Sequence, residues 1–276
     1  MAERRAITLN TATMTDGTGI VYARSAPSQP ASGRVALLHS LAMDHTFWNP
    51  VVAGLPATLD VIAIDARGHG GSGKRQGPYT VELFADDLAE VFAHAKWNSA
   101  VLAGASMGGC VSLAFAARHP RMVDGLALID TTACYGDNAI VAWEEHGQKA
   151  LDGGMSALTG FQEQRWFSDA FRHDSANLVR ELIDVFLRNE PAAYMETCRM
   201  LGRCDTREAL AAFDFPAAIV VGEEDYATPV VMAEAMHAAI PGATLDILAK
   251  VRHYTPVEVP DTIANTIESV LARAKT

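Results

Sequence analysis

The sequence predicts an α/β fold in which a mostly parallel, doubly wound sheet carries an inserted helical cap. Short apolar runs, typical of buried parallel strands, alternate with stretches of helical periodicity over most of the chain. The alternation breaks once, over residues 135–212, where the pattern is helical throughout. At 276 residues the chain is long enough for one such domain with an insertion.

Strands and helices can be assigned in order along the chain. Four strand-like runs precede the insertion, at residues 34–39, 60–65, 99–104 and 123–130. Helices are predicted between them, most clearly at 81–95 and 107–118. After the insertion we expect a strand at 217–222, a helix at 229–240, a strand near 243–248 and an amphipathic helix at about 260–274. Pro260 suits the first turn of that last helix.

The break in the pattern predicts two parts. We expect residues 1–134 and 213–276 to form the sheet domain and residues 135–212 to form the cap. Aromatic anchors follow the helical pattern of the cap, namely Trp143, Phe161, Trp166, Phe167, Phe171 and Phe186. A separate small helical domain with no role in chemistry is the alternative interpretation.

Composition favours a globular protein that acts on small molecules. The formal net charge is −11 and no long basic run offsets it, which disfavours nucleic acid and anionic membranes as partners. No apolar run reaches a membrane-spanning length. Because a negative field repels anions, an enzyme acting on a carboxylate would need a local Arg or Lys beside its pocket. A homo-oligomer is left open.

The N-terminus and the cysteines indicate the compartment. Arg4 and Arg5 precede only a short apolar stretch, too brief for the core of a signal peptide. No C-x-x-C spacing occurs among the four cysteines, which are Cys110, Cys134, Cys198 and Cys204. We therefore expect a cytoplasmic protein with free thiols.

One motif carries chemistry. Gly104-Ala105-Ser106-Met107-Gly108 is a G-x-S-x-G sequence directly after a predicted strand and directly before a predicted helix. The five-residue pattern alone is weak, but this setting is typical of a nucleophile elbow, which holds its serine in a strained backbone conformation. Ser106 is therefore the predicted nucleophile. A glycine-rich turn with an inert serine is the competing interpretation.

A serine hydroxyl needs a base to accept its proton, and the base needs a third group to orient it. After such an elbow the acid and then the histidine follow in chain order. Asp225 and His253 each follow a late strand, at the carboxyl edge where sites of open α/β sheets form, so His253 is the predicted base and Asp225 the predicted acid. Asp130, which ends the strand after the nucleophile helix, competes with Asp225 for the acid role. Glu223 and Glu224 are lesser candidates.

The other histidines are expected to be structural. His39 ends a strand but precedes the serine, so we expect a structural or oxyanion-loop residue. His69 lies in a glycine-rich turn. Surface or satisfied packing positions are expected for His45, His94, His119, His146, His173 and His237. None has a partner at metal-ligand spacing, so no metal site is predicted.

Two backbone N–H groups are predicted to bind the negative charge of a tetrahedral intermediate. The first belongs to Met107, which opens a helix whose dipole favours an anion. The second should come from the loop after the strand that ends at His39. Leu41 is the first choice there, with Ser40 behind it.

Taken together, these segments resemble the α/β-hydrolase superfamily over essentially the whole chain. The resemblance lies in residues 37–41, 65–72, 104–108, 222–229 and 253–260. Two residues depart from the usual pattern. Ser40 follows His39 where glycine is commoner, and Cys110 stands where the elbow helix often has an aliphatic residue.

Within that superfamily the chain resembles the 3-oxoadipate enol-lactonase group. The shared features are His39-Ser40-Leu41, residues 44–48, and Arg165-Trp166-Phe167-Ser168 followed by Phe171. This resemblance implies a serine hydrolase of aromatic catabolism that needs no cofactor. It also implies that a small carboxylated lactone is opened through an acyl-enzyme, with the departing enol becoming a ketone.

A carboxylated substrate would need a cation from the cap, for which Arg165 and Lys149 are the candidates. Ser40, Trp143 and Trp166 are the other residues expected to contact substrate.

Other hypotheses stay open. The same triad could cleave an ester, amide or carbon–carbon bond in another small carboxylated metabolite. Haloalkane dehalogenases and epoxide hydrolases are disfavoured because they use Asp where this chain has Ser106. A non-catalytic ligand receptor on the same fold is the third hypothesis, and the intact Ser106, Asp225 and His253 argue against it.

Overall fold

An eight-stranded, mostly parallel sheet forms the centre of the protein in a computed structural model, which describes residues 7–274. The strands are β1 (Thr8–Thr13), β2 (Gly19–Ser25), β3 (Gly33–Leu38), β4 (Leu59–Ile64), β5 (Ala100–Ala105), β6 (Val123–Ile129), β7 (Ala217–Gly222) and β8 (Thr244–Leu248). Their order in the sheet is β1-β2-β4-β3-β5-β6-β7-β8. β2 pairs antiparallel with β1 and β4, and the other pairs are parallel, which confirms the predicted fold class.

Helices connect the strands and cover the sheet. They are α1 (Asn49–Gly54), α2 (Val81–Ala95), α3 (Met107–Arg118), α4 (Ala139–Gly153), α5 (Thr159–Trp166), α6 (Asp169–Asp174), α7 (Ala176–Leu187), α8 (Pro191–Arg203), α9 (Val230–Ala239), α10 (Thr255–Glu258) and α11 (Pro260–Ala274). α2 packs against α3, and α11 packs against β6 and α1. No helix within residues 7–274 is long and apolar enough to cross a membrane.

The buried strands explain why the sequence was informative. Every residue of β4, β5 and β7 is buried, so these strands appear in the sequence as unbroken apolar runs. β1 and β2 were not predicted. β1 lies at the edge of the sheet with most of its side chains exposed, so it has no apolar run to detect.

Between β6 and β7 the chain forms five helices, α4 to α8, instead of one crossover helix. Trp166 of this segment stacks on Tyr254, with ring centroids 4.8 Å apart, and so contacts the residue next to His253. Phe161, expected as a buried anchor, is 53% exposed instead. The division into a sheet domain and a cap domain stays a prediction. Residues 1–6, which include Arg4 and Arg5, and residues 275–276 lie outside the described part of the chain.

Two glycines allow α3 to lie close to the sheet directly after β5. A Cβ atom on Gly104 would lie 2.3 Å from the carbonyl oxygen of Gly108. A Cβ atom on Gly108 would lie 2.1 Å from the carbonyl oxygen of Leu38. Both neighbours are backbone atoms, which cannot rotate away. The glycines of the motif are therefore required by packing.

Replacing Gly108 with Ala should lower the free energy of unfolding by about 1–3 kcal/mol or more, because the new methyl group overlaps the backbone of β3. Gly160→Ala is the matched control. Gly160 lies in α5 with nothing within 4 Å of the added Cβ, so the change should stabilise the helix by up to about 1 kcal/mol. Urea unfolding measures both, and equal effects would contradict this account of the turn.

Candidate active site

Ser106 occupies the turn between β5 and α3 in a strained conformation, with φ 52° and ψ −114°. Few residues other than glycine adopt a positive φ, so the turn has to be held by its surroundings. The Ser106 N–H donates to the carbonyl of Ile129 at 2.9 Å, and its carbonyl accepts from the Thr131 hydroxyl at 2.6 Å. Both partners belong to β6 or the residues after it, so β6 fixes the elbow.

The structure brings together the predicted nucleophile, base and acid. The Nε2 atom of His253 lies 2.9 Å from the Oγ atom of Ser106. The Nδ1 atom of the same ring lies 2.8 Å from the Oδ2 atom of Asp225. All three residues are buried, with at most 6% of their surface exposed. They form one hydrogen-bonded chain from the elbow to the turn after β7.

Asp225 is held as a carboxylate. Its Oδ1 atom accepts from the backbone N–H groups of Ala227 and Thr228, at 2.7 and 2.9 Å, and its Oδ2 atom accepts from the Thr228 hydroxyl at 2.8 Å. Burial raises the pKa of Asp225, but the electrostatic interaction and hydrogen bond with His253, together with the bonds from Thr228, outweigh burial, and the pKa is lowered. A carboxylate accepts the Nδ1 proton of His253, which leaves Nε2 with a lone pair facing Ser106.

Asp130 has different partners. Its Oδ1 atom accepts from the N–H of Gly222 at 3.1 Å, and its Oδ2 atom accepts from the N–H and hydroxyl of Thr255 at 3.1 and 2.7 Å. Burial and the neighbouring charge of Asp225 raise the pKa of Asp130 well above its ordinary value. The geometry therefore favours Asp225 as the partner of His253 and gives Asp130 a structural connection between β7 and α10.

The lesser acid candidates also have other partners. Glu223 accepts from the N–H of Lys250 at 3.2 Å, and Glu224 lies 3.4 Å from the Nε atom of Arg252.

The predicted oxyanion donors belong to the loop after β3 and to the start of α3. Leu41 lines the cavity that contains Ser106, in the loop after β3. Met107 is the first residue of α3, so its N–H has no acceptor within the helix. Asn189 steadies the Leu41 loop by donating to the carbonyl of Ala42 at 2.7 Å. The donor roles of Leu41 and Met107 stay predictions.

His39 and His69 lie beneath this loop as neutral rings, 5.1 Å apart between centroids. His39 Nδ1 lies 2.8 Å from the Ser40 carbonyl, and its Nε2 atom accepts from the N–H of Ala66 at 3.0 Å. Burial lowers the pKa of His39. Burial also lowers the pKa of His69, to about 3, and the adjacent His39 contributes to that shift. The hydrogen bonds of His39 and the packing of His69 against it fit the structural roles expected from the sequence.

A cavity of about 340 Å³ opens onto Ser106 and His253. All the predicted substrate contacts line it, namely Ser40, Trp143, Arg165 and Trp166. Within the described chain, Arg165 is the one Lys or Arg in the lining, and no Asp or Glu lines the cavity. Lys149, the other candidate cation, is exposed and lies outside the lining.

Arg165 is held in place at the cavity wall. Its guanidinium donates to the carbonyl of Tyr226 and lies 4.9 Å from the ring centroid of Phe161. Burial lowers the pKa of Arg165, and the charge of Asp225 opposes that effect. A guanidinium remains charged at neutral pH even so, and the cavity therefore has a fixed positive group.

Several polar residues of the cavity wall were not predicted from the sequence. His146, expected at a packing or surface position, lines the cavity instead, together with Gln162 and Tyr194. Helical spacing could have found two of them. His146 is three residues after Trp143 on α4, and Gln162 is three residues before Arg165 on α5, so each shares a face with a predicted contact.

The four cysteines are free thiols, as expected. Among residues 7–274 no group of three His, Cys, Asp or Glu side chains is arranged to hold a metal ion.

Known proteins are similar to this chain along most of its length. Residues 33–191 match the family described as the α/β hydrolase fold. The 3-oxoadipate enol-lactonase 2 of Acinetobacter baylyi is 26% identical over 85% of this chain and 87% of its own. The pimeloyl-[acyl-carrier protein] methyl ester esterase of Aromatoleum aromaticum is 31% identical over 86% of this chain and 97% of its own. The crystal structure of the enol-lactonase from Burkholderia xenovorans superposes with a TM-score of 0.90 at 28% identity, over 95% of this chain and 100% of that one.

Acid should destabilise the protein through its buried neutral histidines. The ordinary histidine pKa is 6.5, and that of His69 is lowered to about 3, so the unfolded chain binds a proton between these values and the folded chain does not. Stability is therefore lost as the pH falls. His69→Asn should reduce the loss of unfolding free energy from pH 7 to pH 5 by about 2 kcal/mol.

Urea unfolding at both pH values measures this difference. His237→Asn is the control, because His237 is exposed on α9 and takes no part in the buried histidine pair, so its removal should leave the pH dependence unchanged. An unchanged pH dependence in His69→Asn would show that His69 is not the buried neutral group inferred here.

Proposed function

Because the chain belongs to the α/β-hydrolase fold family, we propose that it is a serine hydrolase that opens a small carboxylated lactone, of the 3-oxoadipate enol-lactone type, through an acyl-enzyme on Ser106. The observation that carries the proposal is the hydrogen-bonded chain from Ser106 through His253 to Asp225, which opens onto a cavity with a fixed cation. The likeness to enol-lactonases supports the choice of substrate.

Acylation opens the ring. Ser106 Oγ forms a bond to the lactone carbonyl carbon while its proton passes to Nε2 of His253, and Asp225 stabilises the imidazolium that results. The N–H groups of Leu41 and Met107 bind the oxyanion, each contributing about 3–4 kcal/mol to a lower barrier. The ring C–O bond then breaks, and His253 gives its proton to the departing enol oxygen.

Deacylation releases the product. The enol becomes a ketone, and a water molecule gives a proton to His253 as its oxygen bonds to the acyl carbon. The bond from this carbon to Ser106 Oγ breaks, and Oγ takes the proton back from Nε2. The oxo-acid leaves, and no cofactor takes part in these steps.

The charge of the cavity supports an anionic substrate. The protein has a net charge of −11, which opposes the approach of a carboxylate. Arg165 counters that field locally, and the described lining adds no carboxylate of its own. Trp143, Trp166 and Phe186 form apolar walls, and apolar surroundings strengthen the attraction between Arg165 and an anion. A role in aromatic catabolism is part of the proposal and rests on the sequence resemblance. The cytoplasmic location that we propose rests on the cysteine usage.

Hydrolysis of a small methyl ester is the second candidate function. The methyl ester esterase of Aromatoleum aromaticum is 31% identical to this chain, and the same triad would cleave such an ester. The two candidates differ in the leaving group, which is an alcohol for the ester and part of the same molecule for the lactone.

Steady-state hydrolysis distinguishes the substrate from the mechanism. The kcat/KM for 3-oxoadipate enol-lactone should exceed about 10⁴ M⁻¹s⁻¹ and be well above that for an aryl acetate. Ser106→Ala should lower both by at least about 10³-fold because the nucleophile is lost. Ser156→Ala, at an exposed serine, is the matched control and should change neither. Ester turnover without lactone turnover would overturn the lactone assignment and leave the triad.

The acid is tested by a pair of matched variants. Asp225→Asn should lower kcat/KM by up to about 10⁴-fold, the loss known for the corresponding change in serine proteases, because an amide favours the wrong histidine tautomer. Asp130→Asn should cost much less activity, since Asp130 hydrogen-bonds to Gly222 and Thr255 rather than to His253. Aryl ester hydrolysis measures both variants, with urea unfolding to check their folding. The reverse ranking would make Asp130 the acid.

A further inference from the structure

Three polar side chains from three helices meet in the wall of the cavity. The Tyr194 hydroxyl, on α8, lies 2.8 Å from Nε2 of His146, on α4. Nε2 of Gln162, on α5, lies 3.1 Å from the same ring nitrogen. Gln162 is 8% exposed and Tyr194 is 2% exposed. We call these three residues the polar cluster. The mechanism described above uses none of them.

The polar cluster has no charge at neutral pH. Burial, followed by the charges of Lys149 and Arg165, lowers the pKa of His146 to about 4, so its ring is neutral. Burial raises the pKa of Tyr194 well above its ordinary value, so the phenol keeps its proton. This wall therefore favours an uncharged group of the ligand, whereas a carboxylate would bind Arg165.

Two donors of the cluster face one ring nitrogen, Nε2 of His146. A neutral ring nitrogen has either one lone pair or one proton, so Nε2 of His146 makes one strong hydrogen bond. The Gln162 amide brings two N–H groups and Tyr194 brings one O–H group. One Gln162 N–H can donate to the Tyr194 oxygen. The two N–H groups of an amide point apart, so the other N–H is left without an acceptor inside the cluster. A ligand oxygen that only accepts hydrogen bonds would complete it.

Aromatic rings surround these donors. The Trp143 ring contacts His146 edge to face at 5.6 Å, and Phe186 contacts Tyr194 in the same way at 5.9 Å. A donor left unpaired among apolar groups costs about 1–3 kcal/mol, so an acceptor placed there is bound selectively. A site of this kind discriminates strongly against a ligand that lacks the acceptor.

We propose that the polar cluster binds the uncharged ketone oxygen that ring opening creates in the acyl part of the substrate. This inference rests on the proposed function, because it assigns a substrate class to the same cavity: lactones and esters whose acyl-enzyme is a 4-oxoacyl ester. When the ring C–O bond breaks, the enol oxygen gains a proton from His253. It then loses a proton as the adjacent carbon gains one, which gives the ketone with no oxidant or reductant.

The position of the cluster also affects whether the opened ring can close again. Ser106 lies at the sheet side of the cavity, on the elbow, whereas the cluster belongs to α4, α5 and α8. A ketone held by Gln162 and Tyr194 is kept away from the acyl carbon. The enol formed from this ketone is therefore hindered from placing its oxygen on the acyl carbon and closing the ring again.

Ligand binding to the Ser106→Ala protein tests the proposal without turnover. Calorimetry compares the Kd of ethyl 4-oxohexanoate with that of ethyl hexanoate, which differ only in the ketone. The oxo ester should bind at least about fivefold more tightly. Adding Gln162→Leu, or separately Tyr194→Phe, should reduce this ratio by about fivefold. Two variants are used so that a folding failure in one leaves the other to decide.

Gln164→Leu is the matched control, because it makes the same chemical change on the same helix at an exposed side chain and should leave the ratio unchanged. The proposal is overturned if the parent protein does not prefer the oxo ester, or if the ratio is unchanged in a folded Gln162→Leu or Tyr194→Phe protein. If the preference depends on the cluster but the wild-type protein hydrolyses neither lactone nor ester, the ketone-binding role of the cluster stands, and the proposed function fails together with the substrate class.

Discussion

The strained turn at Ser106 is the constraint on which the rest of the site depends. Its positive φ is strained, and it persists because Ile129 at the end of β6 and Thr131 just after β6 hydrogen-bond to the two sides of the residue. Gly104 and Gly108 let the helix approach the sheet closely enough for this turn to exist. His253 and Asp225 then need only to follow neighbouring strands, since the carboxyl ends of β5, β7 and β8 lie at one edge of the sheet.

Burial of two carboxyl groups close together is the second feature of the site, and hydrogen bonding separates their roles. Asp225 accepts two backbone bonds and one hydroxyl bond besides that of His253, which keeps it ionised. Burial and the nearby charge of Asp225 raise the pKa of Asp130. Its hydrogen bonds connect the end of β7 to the start of α10. The two residues thus serve one site, the first through the histidine and the second through the backbone that carries it.

The sequence predicted the parts of this structure that depend on local pattern. β4, β5 and β7 are buried on both faces and appear as apolar runs, whereas the exposed edge strand β1 left no such signal. The elbow and chain order identified Ser106 and His253, but strand ends alone could not separate Asp225 from Asp130, because both follow buried strands. Tyr194 was missed, and so was its meeting with His146 and Gln162, because that meeting depends on how α4, α5 and α8 pack, which no local pattern records.

The central claim is that Ser106 is the activated nucleophile of this cavity, and covalent labelling tests it most directly. An alkyl fluorophosphonate should react with one serine per chain as its oxygen bonds to phosphorus and fluoride leaves. Peptide mass mapping should find the added group on Ser106, at a rate that falls sharply in His253→Gln. Labelling of Ser40 or another serine instead, or a rate that does not depend on His253, would contradict the account.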